Sequence, residues 1–269
     1  MLVVKIGGSL ALDDLSPLFS DIKGLWSKGE DLVIVHGGGR LVTVEAEKMG
    51  VKQKFYRNPS GFTTRLTDSE TIKVFKMVVG GLLNKDLVAE LLKVGVPAIG
   101  LSGVDCALVE GERKKRILVI DERGRKRFIY GDYSGKPTRV NIDLLRLFLE
   151  RRLVPVIAPI GIDKEFNIIN MDGDRVAALI ARSLGSERLI YLTDVDGVVL
   201  NGEFVDRLSI EDVESAMRFV SGGMKRKLLA SIEALRGGVA EVIIASGLRE
   251  NPLKNALFHR RCTVVVGYA

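Results

Sequence analysis

The chain has 269 residues, 46% of them hydrophobic, and a formal net charge of +6. That length and apolar content allow one large α/β domain or two lobes around a sizeable core and exclude a mainly disordered chain. No apolar stretch approaches the ~18 residues of a membrane span and Met1 leads straight into a strand, so a cytoplasmic protein without membrane attachment is expected.

Leu2-Val3-Val4 reads as a buried strand that delivers Lys5-Ile6-Gly7-Gly8-Ser9. A lysine followed by two glycines puts a cation beside backbone N–H groups that no side chain blocks, which suits a phosphate; a glycine pair after a strand equally serves a tight strand-to-helix turn. Ser16-Pro17 opens a crossover helix whose stripe is Leu18, Ile22, Leu25 and Trp26, ending near Gly29. Leu32 to Val35 is a second buried strand, followed by His36-Gly37-Gly38-Gly39-Arg40 and a helix from about Leu41. Two strand–glycine–helix units point to a parallel sheet with glycine loops at its carboxyl edge, where open α/β sheets bind ligands. His36 reads as structural.

Lys52 to Thr64 reads as a lid hairpin turning at Asn58-Pro59-Ser60-Gly61, and Thr67-Asp68-Ser69-Glu70 as a capping box for a helix toward Val79. A second helix spans about Leu82 to Lys93, Val96 to Leu101 is a strand, and Ala107 to Tyr130 holds short strands. Residues 131–137 read as a loop. Asn141 caps a helix to about Arg152, and Val154 to Ala158 is a strand. Further on come a helix from Arg175 to Leu184, a strand from Leu189 to Leu192, and a small hairpin about Asn201-Gly202. Helices over Ser209 to Val220 and Met224 to Arg236 and strands at Val242 to Ala245 and Val264 to Val266 complete the chain.

Charge is concentrated. Between Glu112 and Arg127 eight basic residues stand against three acidic ones, which accounts for five of the six excess charges. Such a run is either a solvated hairpin or a surface for an acidic partner. Cys106 and Cys262, with two histidines, supply neither a disulfide framework nor a zinc site, and both read as inert thiols.

Taken together, Lys5-x-Gly-Gly-Ser, His36-Gly-Gly-Gly, Asn170-x-Asp-x-Asp174, Thr193-Asp-Val-Asp-Gly197 and Gly222-Gly-Met-x-x-Lys227 resemble, in order and spacing, the amino acid kinase family. Within it the chain is most similar to the N-acetylglutamate kinases, and among these to the kinases acting on aminoadipate or glutamate held by the LysW carrier protein. The resemblance implies a three-layer α/β/α sandwich with a mainly parallel open sheet, the amino acid kinase or carbamate kinase fold. Residues 1–160 would form the amino-acid-acceptor lobe, with the lid and basic hairpins, and residues 161–269 the nucleotide lobe.

The resemblance further implies ATP with Mg²⁺, no protein metal site, and at least a homodimer. Lys5 and Lys227 would contact the transferring phosphoryl group from opposite lobes, with Asp174 orienting them. Gly8 and Gly38 would donate N–H groups, and Thr193, Asp194, Asp196, Gly197 and Gly223 would complete the nucleotide site. Arg65 would pair with the acceptor's α-carboxylate, Asn170 would hydrogen-bond the amino-acid moiety, and Gly37 and Gly38 would line that cleft. Each of these residues has a plainer reading as a turn glycine, a cap or a surface cation. No nucleophile with a base stands in the constellation, so the attacking group would be the substrate's own carboxylate, already ionised at neutral pH.

Two features favour the carrier-linked branch. Tyr133-Ser134-Gly135-Lys136-Pro137 resembles that branch's Tyr-Thr-Gly-Lys element, and Arg123, Arg125, Lys126 and Arg127 would dock the small acidic LysW-type carrier. Arg260-Arg261-Cys262-Thr263 departs from the Gly-x-Gly-Thr usual in N-acetylglutamate kinases. An ordinary kinase of free N-acetyl-L-glutamate is the alternative. A nucleic-acid role is not expected, since no aromatic residues interleave the basic run and no reader motif appears.

Overall fold

Leu2–Ile6, Leu32–His36 and Val154–Ala158 are buried at every position, as strands covered by helices on both faces must be. The computed structural model describes residues 1–59, 61–121 and 124–267. The central sheet has eight strands in the order Arg207–Ser209, Cys262–Val266, Glu241–Ser246, Arg188–Thr193, Leu2–Ile6, Leu32–His36, Val154–Ala158 and Ala98–Ser102. Neighbours run parallel except Cys262–Val266, which pairs antiparallel with Glu241–Ser246.

The strands up to Ala158 occupy one side of this sheet and those from Arg188 onward the other. The seam is the parallel pair Leu2–Ile6 and Arg188–Thr193, where Lys5 lies opposite Tyr191. Alternation along each strand feeds two cores: Leu2, Val4, Leu32 and Ile34 belong to one, Val3, Val33 and Val35 to the other. Ser16–Ser27, Gly39–Lys48, the helical run from Ser69 to Lys93 and Pro252–Leu257 contribute to the first core. Ile142–Glu150, Gly173–Leu184, Ile210–Ala216 and Gly222–Leu235 contribute to the second. The three-layer α/β/α sandwich expected from the sequence is the observed architecture.

Local differences have local causes. The helix at Ser69 is capped by Asp68, whose carboxylate accepts the Thr71 N–H at 3.0 Å, whereas Thr67 is fully buried and its N–H donates to Asp132 Oδ1 at 2.9 Å. The two helices expected around Gly80 and Gly81 form one run, Ser69–Phe75 passing through a π-helical Lys76–Leu83 into Asn84–Lys93. A Cβ on Gly80 would meet Ile160 at 3.4 Å, so the wide turn is pressed against the strand edge. The loop expected at 131–137 is a strand from Ser134 onward.

That strand, Ser134–Val140, closes a small barrel with Val109–Arg113, Ile160–Ile162 and Ile168–Met171. The barrel thus takes strands from either side of residue 160. The lid and basic hairpins are not separate either. Thr63–Leu66, Lys54–Arg57, Arg116–Ile120 and Lys126–Tyr130 form one four-stranded sheet, joined where Arg57 pairs with Ile120. Leu66, Ile117 and Val119 make its small core. Ser60 of the lid turn and Arg123 of the expected docking set lie outside the described residues. No helix among the described residues is long and apolar enough to cross a membrane.

Candidate active site

Two glycine turns meet at the carboxyl edge of Leu2–Ile6 and Leu32–His36. The N–H groups of Gly7 and Gly37 are taken by the carbonyls of Leu192 and Ile6, both at 2.8 Å, while those of Gly8 and Gly38 have no backbone acceptor among the described residues. A Cβ on Gly8 would lie 2.9 Å from the nitrogen of Gly38, and one on Gly37 would lie 2.7 Å from the nitrogen of Gly8. The turns therefore pack backbone on backbone, which only glycine allows, and leave free N–H groups side by side. His36 is buried beneath them, with Nε2 3.1 Å from Asn84 Nδ2 and Nδ1 3.1 Å from the Gly37 carbonyl. Burial lowers its pKa to about 4, so it is neutral and structural, as expected.

Beside this cradle Lys5 Nζ lies 2.6 Å from Asp174 Oδ1, and Lys227 Nζ lies 3.5 Å from Asp174 Oδ2. All three are buried, at 5%, 8% and 5% exposure for Lys5, Lys227 and Asp174. Asp174 sits in the first turn of Gly173–Leu184, where the cap Asp172 accepts the N–H groups of Asp174 and Arg175 at 3.0 and 3.2 Å. The Tyr191 hydroxyl, at the seam, donates to the Asp174 carbonyl at 2.9 Å. Burial works to raise the Asp174 pKa, but Lys5 and Lys227 together hold it below the usual carboxylate range. Burial depresses the Lys227 pKa against the pull of Asp174. Asp172 is pushed up by burial and by the Asp174 charge. Two ammonium groups bracket the Asp174 carboxylate, and the neighbouring Asp172 is pushed toward its neutral form, so the low-dielectric notch offers cations to an incoming anion.

Arg65, expected to meet the acceptor, is held firmly. Its Nη2 donates to the Gly39 carbonyl at 2.8 Å and to Thr43 Oγ1 at 2.9 Å, its Nη1 donates to Gln53 Oε1, and its guanidinium lies 4.8 Å from the Phe55 ring. Three of five donors are used, which leaves one on Nε and one on Nη1 of a pre-oriented guanidinium for an incoming anion. Asn170 donates through Nδ2 to Thr67 Oγ1 at 3.3 Å and through its backbone to the Tyr133 carbonyl at 2.8 Å. Tyr133 in turn donates its N–H to the Thr67 carbonyl at 2.7 Å. Arg65, Thr67, Tyr133 and Asn170 thus belong to one connected wall.

Among the expected nucleotide residues, Asp194 accepts from Thr193 Oγ1 at 2.9 Å and from Ser9 Oγ at 3.2 Å, tying the first glycine turn to the loop after Arg188–Thr193. Asp196 is engaged by Arg249 through two hydrogen bonds of 2.6 Å. A Cβ on Gly197 would fall 2.4 Å from Thr263 Oγ1, which makes this glycine a packing requirement. Gly223 stands exposed in the first turn of Gly222–Leu235, a helix whose cap Ser221 makes no side-chain hydrogen bond. Its amino end is open to an anion.

The basic run divides by use. Arg113 lies 3.7 Å from the Tyr133 ring, Arg116 lies 4.4 Å from the Phe128 ring, Lys115 pairs with Glu165, and Arg125 returns to Asp121 within its own turn. Lys126 and Arg127 are exposed without an ion pair among the described residues. Of the two thiols, Cys262 is buried and pushed up to about 11, while Cys106 is exposed. Sequence reading gave no role to Asp172, although it stands inside Asn170-x-Asp-x-Asp174, and missed Tyr191, Gln53 and Thr43, which act by holding other residues and carry no motif of their own. Arg40, whose Nη1 donates to the Ser9 carbonyl at 3.4 Å, was signalled by its place directly after the glycine triplet.

The model of the amino acid kinase family matches residues 1–246. A Nitrosopumilus maritimus protein, provisionally named LysW-aminoadipate/LysW-glutamate kinase, is 43% identical over 266 residues, spanning 98% of this chain and 99% of that one. The solved N-acetylglutamate synthase of Neisseria gonorrhoeae, complexed with coenzyme A and N-acetyl-glutamate, superposes with a TM-score of 0.81 at 25% identity, covering 100% of this chain and 59% of that one. Carbamate kinase from Giardia lamblia bound to AMP-PNP shares the fold, with a TM-score of 0.65 at 15% identity over 99% and 98% of the two chains.

Proposed function

The chain belongs to the amino acid kinase family, and on that premise we propose that it transfers the γ-phosphoryl group of ATP to the side-chain carboxylate of 2-aminoadipate or glutamate held through its amino group on an acidic LysW-type carrier. The observation that carries this reading is the buried Lys5–Asp174–Lys227 set beside the glycine cradle, two cations sharing one anion where phosphates would lie. The donors fit a nucleotide's phosphates: the N–H groups of Gly8 and Gly38, the open amino end of Gly222–Leu235, and the two lysines. Among the described residues no group of three His, Cys, Asp or Glu side chains could hold a metal. Mg²⁺ would therefore enter on the nucleotide, where it supplies further neutralisation of phosphate charge.

In this reaction an oxygen of the substrate carboxylate forms a bond to the γ-phosphorus, the bond from that phosphorus to the bridging oxygen of ADP breaks, and an acyl phosphate results. The reading needs no proton removed from the nucleophile, and His36, neutral and enclosed, is not placed to remove one. Lys5 and Lys227 answer the charge that spreads over the moving phosphoryl group, and Asp174 keeps both at fixed positions without a competing water shell. Arg65 and Asn170 would hold the α-carboxylate and the amide end of the acceptor, remote from the moving group.

The carrier is assigned to the outer face of the four-stranded sheet. Phe55, Leu118, Phe128 and Tyr130 are exposed there, and cross-strand pairing puts Phe55 beside Arg65 and Leu118 beside Phe128 on that face, with Lys126 opposite Ile120. An acidic partner would meet cations among apolar groups on a surface continuous with the acceptor wall. A homodimer is part of the same reading. Met77, Leu82 and Leu92 are exposed along the Ser69 to Lys93 run, next to the edge strand Ala98–Ser102.

Purified protein given ATP, Mg²⁺ and a panel of acceptors, with hydroxylamine trapping of acyl phosphate, tests the assignment. Hydroxamate formation on carrier-linked aminoadipate or glutamate, far above that on free N-acetyl-L-glutamate, is expected. The reverse order would transfer the assignment to the free substrate, and no product with any carboxylate would remove the kinase reading.

A further inference from the structure

The helix that carries Lys227 touches the acceptor hairpin directly. Arg226 donates from Nη2 to the Thr63 carbonyl, and Lys225 Nζ lies 5.3 Å from the Phe62 ring. Thr63 begins the strand Thr63–Leu66 that holds Arg65. Arg226 and Lys225 are half-buried as residues, while the hydrogen bond from Arg226 to Thr63 itself is exposed. The Arg226 charge also pulls the Asp172 pKa down against burial, and Asp172 caps the helix that presents Asp174. One guanidinium thus joins two elements, the Lys227 helix and the Arg65 hairpin. Nothing in phosphoryl transfer requires it to touch the substrate.

From this placement we infer that Arg226 is a positioning residue that couples the acceptor hairpin to the nucleotide helix. The inference rests on the proposed nucleotide site. Nucleotide phosphates drawn to Lys227 and the amino end of Gly222–Leu235 fix that helix, and through Arg226 they fix the hairpin; an acceptor held on Arg65 does the same in reverse. Coupling of this kind is reciprocal and commonly changes affinity by roughly 5- to 150-fold. Arg226→Lys keeps the charge but has one compact head in place of the planar fork, and it serves the Thr63 carbonyl less well.

Amide hydrogen exchange of the whole protein, with and without AMP-PNP and Mg²⁺, tests this without an acceptor. In the unaltered protein the nucleotide should slow exchange both at residues 222–228 and in the hairpin at residues 54–66. In Arg226→Ala protection at 222–228 should persist and the hairpin's should vanish, with Arg226→Lys in between. Steady-state kinetics should show kcat lowered about tenfold in Arg226→Ala, and acceptor KM should no longer depend on ATP concentration. Equal hairpin protection in Arg226→Ala and the unaltered protein would overturn the coupling while leaving the kinase reading intact. Absence of protection at 222–228 in the unaltered protein would overturn the nucleotide site, and the coupling with it. Phe62→Ala, which leaves Arg226 in place, should retain most of the hairpin protection; its complete loss would assign the coupling to the ring contact.

Discussion

Asp174→Asn removes one charge from the centre of the site without changing its shape, and the structure sets the cost. The carboxylate lies 2.6 Å from one buried ammonium and 3.5 Å from another. Without it two cations face each other away from water, and breaking a buried pair costs about 3–5 kcal/mol. At the lower figure Tm should fall by roughly 6–12 °C for a chain of this size. Because Lys5 and Lys227 hold the Asp174 pKa below its unfolded value, the stabilising charge is fully present above a pH of about 4 and lost as pH falls through the lower folded value. The stability gap between Asp174→Asn and the unaltered protein, read by urea unfolding, should be constant from pH 7 to 5 and shrink below about 4. Turnover should fall about a hundredfold with little change in KM for ATP, since repelling lysines no longer present a fixed field to the transition state. A gap that stays constant down to pH 3, or a variant with unaltered Tm and kcat, would refute the charge argument.

Lys227→Ala should lower kcat far more than it weakens ATP binding, and steady-state kinetics with an unchanged kcat would remove Lys227 from the chemistry. Arg65→Ala should raise acceptor KM at least tenfold with KM for ATP unchanged, and, because Gly39, Thr43 and Gln53 lose their donor, should also cost about 2 kcal/mol of stability by urea unfolding. Gly8→Ala places a methyl 2.9 Å from the nitrogen of Gly38, so AMP-PNP affinity measured by calorimetry should fall at least tenfold while the fold persists. Reversing Lys126 to glutamate should lower kcat/KM for a carrier-linked acceptor in a salt-sensitive way and leave AMP-PNP binding intact; equal losses on a detached acceptor would mean that the sheet, rather than docking, is disturbed.

The elements that sequence declares best are those whose pattern is local. Buried strands such as Leu32–His36 are continuous apolar runs, and the turns after them are glycines because backbone meets backbone there. Lys5, Asp174 and Lys227 were named as a set through family resemblance, and the structure brings all three together. What stayed hidden depends on partners distant in sequence. Thr67 looked like a cap because Glu70 follows it, yet its N–H goes to Asp132, 65 residues away. Residues 131–137 read as a loop because glycine, proline and polar residues dominate, and from Ser134 onward they form a strand only because the barrel supplies neighbours on both sides. The basic run looked uniform in sequence, whereas tertiary contacts spend Arg113, Lys115, Arg116 and Arg125 on rings and carboxylates.

The joining of the two hairpins alters what the charged surface can mean. As separate excursions, an acceptor lid and a basic flap would act independently, and charge on one would report nothing about the other. In the structure Arg57 pairs with Ile120 across the junction, and Leu66, next to Arg65, shares a core with Ile117 and Val119. A partner seated on the outer face therefore presses on a sheet whose far strand holds Arg65, and that strand begins at the carbonyl held by Arg226. Lys5 is fixed in the central sheet, but Lys227 rides on a helix whose amino end touches the hairpin. Of the two cations that flank Asp174, Lys227 is thus the one whose own helix contacts the hairpin. If the hairpin holds the acceptor as proposed, Lys227 is the residue through which its occupancy would reach the phosphate.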